Sequence, residues 1–136
     1  MPALPHPRGL LDTSVFIALE QRREIDYGAL PLAQYVSAIT RGELLAGVHA
    51  AHTVDTRAVR LSTVEQLAGV EMLAVDSRAA THWAALRHSL ASAGRRVNVN
   101  DLWIASVALA HDLPVVTQDG DFDVIAEICG LRVIRV

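Results

Sequence analysis

Lysine is absent from the 136-residue chain; all 12 basic side chains are arginine. That excludes every mechanism built on a lysine amine, whether nucleophile, Schiff base or phosphate-loop cation. Cysteine is nearly absent too. A single residue, Cys129, cannot form an internal disulfide and points to a reducing compartment. No apolar run approaches the roughly 20 residues of a membrane span, and Met1 to Pro7 lacks the basic start and apolar middle of a signal peptide. The expected location is therefore the cytoplasm, with no membrane partner. A formal net charge of −3 rules out a generally cationic surface of the kind that coats nucleic acid, leaving room only for a local arginine patch.

What remains is ordinary globular composition, 51% hydrophobic and 20% charged, which excludes disorder and fibrous repeats. One domain over residues 1–136 is the expectation at this length. Short apolar runs read as strands at Gly9 to Asp12, Gln34 to Ala38, Glu71 to Val75, Pro114 to Thr117 and Leu131 to Val136. Helical patterns fall between them: Val15 to Arg23 behind Asp12-Thr13-Ser14, Arg41 to Ala51 opened by Thr40, and Thr56 to Ala68. A long alanine-rich helix capped by Asp76 or Ser77 stops near Gly94. Asp101 to His111 is apolar almost all round and should be buried, and Phe122 to Ile128 forms a last short helix. Strands alternating with helices predict a parallel sheet covered on both faces.

The acids fall where such a sheet places its ligands. Asp12 ends the first strand, and Asp119 follows the fourth by two residues; both lie at carboxyl ends. Glu43 sits one turn into the helix after the second strand, Asp101 opens the buried helix, and Asp121 continues the loop from Asp119. Each has a plainer role available. Asp12 and Asp101 suit helix N-termini, Thr40-Arg41-Gly42-Glu43 fits a capping box, and Asp119 and Asp121 are common turn residues. Their joint placement carries the inference. Two unit charges about 5 Å apart at an effective dielectric of about 20 repel by roughly 3 kcal/mol. Four convergent carboxylates would then cost on the order of 10 to 20 kcal/mol, beyond a domain's usual net stability. Such a cluster must take up protons or bind a cation, and an all-oxygen site suits Mg2+ or Mn2+.

Four segments carry a family resemblance: Leu10-Leu11-Asp12-Thr13-Ser14; Thr40-Arg41-Gly42-Glu43-Leu44 with Gly47; Asn100-Asp101-Leu102-Trp103-Ile104-Ala105; and Val115-Val116-Thr117-Gln118-Asp119-Gly120-Asp121-Phe122. In order and spacing the chain resembles the PIN-domain ribonucleases, specifically the VapC-type toxins of type II toxin–antitoxin pairs. The resemblance implies a three-layer α/β/α fold on a five-stranded parallel sheet. It also implies a metal-dependent endoribonuclease, a homodimer, and a small VapB-type antitoxin as partner. Carried over residue by residue, Asp12, Glu43 and Asp101 match three acids of the family motif, and Asp119 matches the fourth. The tail here, Thr-x-Asp-x-Asp-Phe, is one residue tighter than the family's Thr-x-Asn-x-x-Asp-Phe, so Asp119 and Asp121 both stand as candidates for that fourth acid.

The expected catalytic set is therefore Asp12, Glu43, Asp101 and Asp119. Asp12, Asp101, Asp119 and Asp121 would hold Mg2+ or Mn2+, with the Ser14 and Thr117 hydroxyls in support. Arg41, Arg95 and Arg96 are candidates for RNA phosphates. Two rivals stand beside this reading. A phosphoacceptor receiver domain also gathers acids at strand ends, but resemblance to it would require a lysine. A catalytically silent PIN-like module would act only through its antitoxin or dimer partner. A calcium loop from Asp119 fails because Val124 and Gly130 replace the required Gly and Glu, and no histidine set has zinc spacing.

Overall fold

The structure is a computed structural model that describes residues 4–136. Five strands, β1 (Arg8–Leu11), β2 (Ala33–Ser37), β3 (Glu71–Leu73), β4 (Val115–Thr117) and β5 (Val133–Arg135), form one sheet in the order β3-β2-β1-β4-β5. Every pairing is parallel. Among the described residues six helices connect and cover them: α1 (Thr13–Glu20), α2 (Ala38–His49), α3 (Val54–Gln66), α4 (Ser77–Ser92), α5 (Val99–Ala110) and α6 (Asp123–Cys129). Two short 3-10 turns, Tyr27–Ala29 and Leu67–Gly69, complete the chain. No helix is long and apolar enough to cross a membrane among the described residues.

The two-residue period of a strand sends alternate side chains to opposite faces, and here both faces are dry. Leu10 and Val115 join a core with Ala79, Leu86, Ile104, Ala105 and Phe122 from the α4, α5 and α6 side. Their neighbours Leu11, Val36 and Val116 join a second core with Val15, Phe16, Leu44 and Val64 from α1, α2 and α3. Parallel strands buried on both sides read as continuous apolar runs, which is why Leu10-Leu11 and Val115-Val116 show no alternation in sequence.

Helix starts differ from expectation in two places that matter. α2 begins three residues before Arg41, because Ser37, the last residue of β2, is the cap and its Oγ accepts from the Thr40 N–H at 3.3 Å. Thr40 is thereby a buried helical residue, and Glu43 has no capping box to serve. α5 begins at Val99 rather than Asp101, because the Asn98 side chain accepts from the N–H groups of Asn100 (2.8 Å) and Asp101 (3.4 Å). Of the two proposed caps for α4, Asp76 is the one used.

β1 lies at the centre of the sheet and passes close to its surroundings at Gly9. A Cβ built there would stand 2.7 Å from Val116 Cγ2 and 2.9 Å from Pro31 Cγ. Val116 is fully buried. Gly9→Ala should therefore destabilise the fold by about 1–3 kcal/mol, seen as a lower urea midpoint at unchanged slope. An unchanged midpoint would show that the approach is looser than these distances.

Candidate active site

The sheet order reverses at β1, whose chain continuation β2 lies on one side and β4 on the other. Ligands of open α/β sheets bind at such a switch point, beyond the carboxyl ends of the strands. Leu11 pairs with Val116, and the next residues, Asp12 and Thr117, stand side by side at that edge. The Asp12 N–H continues the ladder to the Val116 carbonyl at 2.9 Å.

Asp12 is buried, only 3% exposed, and its side chain makes no helix cap. Instead Oδ2 accepts from the Ser14 hydroxyl at 2.7 Å and from the Thr117 hydroxyl at 2.8 Å. Ser14 Oγ also accepts from the Gln118 N–H at 3.0 Å, which ties the start of α1 to the loop after β4. Two hydroxyl donors on one oxygen fix the carboxylate rotamer and leave Oδ1 outside that pair of bonds. Burial raises the pKa of Asp12, with Asp119 adding to the effect, while the two hydroxyls act in the opposite direction.

Glu43 is held across the gap from α2. Its Oε1 accepts from the Thr13 hydroxyl at 2.7 Å, and Oε2 accepts from the Asn100 amide at 3.4 Å. Thr13 Oγ1 also stands 3.0 Å from Thr40 Oγ1, a fully buried hydroxyl. Neither Thr13 nor Asn100 is among the candidate site residues that the sequence offers. In the sequence Thr13 reads as part of a helix start and of the Leu10–Ser14 segment, and no local pattern shows that its hydroxyl reaches a residue 30 positions away.

Asp101 lies on the first turn of α5 and is half-buried. Its carboxyl is pushed up to about 7, first by burial and then by the charges of Asp12, Asp121, Glu43 and Asp119. The other four acids thus all act on Asp101. Asp119 and Asp121 divide the loop between them. Asp119 lies beside Thr117, and its Oδ1 accepts from the Asp121 N–H at 3.1 Å in a turn of its own. Asp121 shares a hollow of about 370 Å³ with Asp101, Arg96 and Asn98. The three ion pairs among the described residues, Arg95–Glu127, Arg132–Asp112 and Arg135–Asp123, involve none of these five acids.

Comparison with known proteins matches this geometry to a family. The PIN domain matches residues 9–128. The chain belongs to the PIN-domain family. Within that family it is 50% identical over 128 residues to Ribonuclease VapC5 of Mycobacterium tuberculosis, spanning 94% of this chain and 95% of that protein. Ribonuclease VapC4 of the same organism is 41% identical over 118 residues, covering 85% and 88%. A crystal structure of VapBC-5, a member of the VapBC family of toxin–antitoxin systems from M. tuberculosis, superimposes with a TM-score of 0.88 at 48% identity, covering 96% of this chain and 99% of that one.

The donor set of this PIN domain is all oxygen and strongly anionic, which suits a hard divalent cation. Among the described residues no three His, Cys, Asp or Glu side chains already stand as a metal cage. That is compatible with Mg2+, which typically takes one or two carboxylates and keeps several waters. Of the three candidate arginines, Arg96 borders the acid hollow, Arg95 pairs at 3.8 Å with Glu127, and Arg41 is exposed on α2.

The crowding has a sign in stability. Between its ordinary pKa near 4 and about 7 in the folded state, Asp101 keeps a proton that the unfolded chain has lost. The unfolded state then binds fewer protons, so its contribution to stability falls as pH rises through that window. In metal-free solution the urea midpoint of the wild type should drop between pH 5 and pH 8 relative to Asp101→Asn. A wild-type curve that rises relative to the variant would contradict the repulsion described here.

Proposed function

We propose that this PIN domain is the ribonuclease toxin of a toxin–antitoxin pair, a divalent-metal-dependent endoribonuclease that hydrolyses RNA phosphodiester bonds. The observation that carries the reading is the gathering of Asp12, Glu43, Asp101, Asp119 and Asp121 at one switch point, none of them in an ion pair among the described residues. Its relatives named as ribonucleases, at up to 50% identity over nearly the whole chain, support the same activity. The VapBC likeness supports a VapB-type antitoxin as the partner. A catalytically silent module is the less favoured reading, because nothing in such a role calls for five crowded acids.

Asp12 and Asp101, with Asp119 or Asp121, are the residues that would hold Mg2+ or Mn2+. When bound, the ion supplies charge neutralisation, a lowered pKa for water and stabilisation of charge developing on the phosphate. The chain's own groups do the rest. Ser14 and Thr117 hold Asp12 to one rotamer, so one carboxylate oxygen is committed to the protein and the other can face a ligand. Glu43, aligned by Thr13 and Asn100, would orient the attacking water and accept its proton. The water oxygen bonds to phosphorus as the bond to the ribose 3′-oxygen breaks. That oxygen leaves as a 3′-hydroxyl, having gained a proton, and the other fragment retains a 5′-phosphate. Bare acids would repel the RNA backbone, so neutralisation of the cluster must precede or accompany substrate binding.

Purified protein should cut single-stranded RNA in Mg2+ or Mn2+, lose that activity in EDTA, and regain it on adding the ion back. Asp12→Asn and Asp101→Asn should each lower the rate at least a hundredfold; wild-type cleavage by either would refute the assignment. Thr13 tests the alignment of Glu43 separately. Thr13→Val should lower kcat by about tenfold or more with little change in KM, and Thr13→Ser should restore most of it. Equal loss in both variants would assign Thr13 to packing alone.

A further inference from the structure

A second concavity adjoins the acid hollow. It lies along α4 and α5, measures about 780 Å³, and is bordered by Trp83, Arg87, Leu90, Arg95, Arg96 and Leu102. Arg96 and Val97 border both the groove and the hollow containing Asp101 and Asp121, so the two lie side by side. The connecting segment is the turn between the helices, which leaves α4 through Gly94 in the left-handed region (φ 67°) and enters α5 at Asn98.

We propose that this groove holds the RNA strand flanking the scissile phosphate, with Arg87, Arg95 and Arg96 on the backbone and a base on the apolar floor. The inference rests on the nuclease reading above and adds where the rest of the substrate lies. Charge favours RNA over a protein occupant. Three of the chain's 12 arginines border this groove and no acid does, although the chain as a whole carries −3. Arg95 is partly engaged by Glu127 at 3.8 Å, but both partners are well exposed and that pairing is weak. Arg96 has no ion pair among the described residues.

The floor has the other half of the required chemistry. Leu90 and Leu102 are buried beneath it. Trp83 stacks on Trp103 with ring centroids 4.9 Å apart and planes inclined by 10°, and the Arg87 guanidinium lies 5.2 Å from the Trp83 ring centre. The Trp83 Nε1 is the one buried side-chain polar atom without a partner among the described residues. An apolar floor edged by guanidinium groups combines the two contacts by which proteins hold single strands, apolar packing for bases and charge for phosphates.

The test uses the full chain carrying Asp101→Asn, so that bound RNA is not consumed, with a labelled 12-nucleotide oligouridylate followed by fluorescence anisotropy across a salt series. Adding Arg87→Ala or Arg96→Ala should weaken binding by about tenfold. Each should reduce the slope of log K against log salt by about 0.7, the value for one phosphate contact on a single strand. Arg96→Lys should restore the slope, which separates charge from folding, and Arg23→Ala, on the opposite side of the sheet, should leave both quantities unchanged. RNA should also alter tryptophan emission, since Trp83 and Trp103 are the only two tryptophans. Unchanged affinity and slope in both groove variants would overturn the proposal. So would a change in sedimentation alone, which would make the groove a protein interface. Wild-type protein that binds as expected yet cuts no RNA would sink the nuclease reading while leaving the groove assignment standing.

Discussion

Repulsion between carboxylates at one edge of the sheet is the constraint on which the rest of this molecule depends. A domain's net stability is commonly only 5–15 kcal/mol, so a crowd of like charges is kept only if the fold compensates for it. The compensation is visible on both sides of the sheet. Two apolar cores grip alternate residues of the same central strands, and β1 and β4, which deliver Asp12 and Thr117, are among the most thoroughly buried segments. The anionic edge is the exposed end of a rigid, dry scaffold.

The hydroxyls turn that placement into chemistry. Ser14 and Thr117 converge on one oxygen of Asp12, and Thr13 and Asn100 take the two oxygens of Glu43. None of these donors carries charge, so they fix direction without cancelling the negative potential. A lysine or arginine in their place would neutralise part of that potential. Asp101 is the member least provided for. It has burial and four like charges around it, and its raised pKa is the direct result.

The plainer roles of the acids resolve differently at each position. The Asp12 side chain caps no backbone N–H of α1, because its Oδ2 is taken by the hydroxyls of Ser14 and Thr117. Glu43 is released from capping by Ser37, which starts α2 directly at the end of β2. Asp119 does both jobs, accepting from the Asp121 N–H in a turn while standing beside Thr117. One residue therefore serves the turn and the acid cluster together, and the tight Asp-Gly-Asp spacing lets both acids act on Asp101.

The sequence by itself determined the class of fold and the identity of the acids. Alternating apolar runs and helical periods require a covered parallel sheet, and strand-end carboxylates follow from reading where each run stops. Helix boundaries were less legible, since Ser37 and Thr40, or Asn98 and Asp101, are equally good openings in local chemistry, and packing chose between them. Tertiary structure alone decided which hydroxyl meets which acid, that Asp119 and Asp121 face different neighbours, and that Trp83, Arg87 and Arg96 border one groove. These are contacts between residues tens of positions apart, set by strand order and helix packing. Local patterns carry periodicity and capping, but they hold no record of which edge strand or helix will lie next to another.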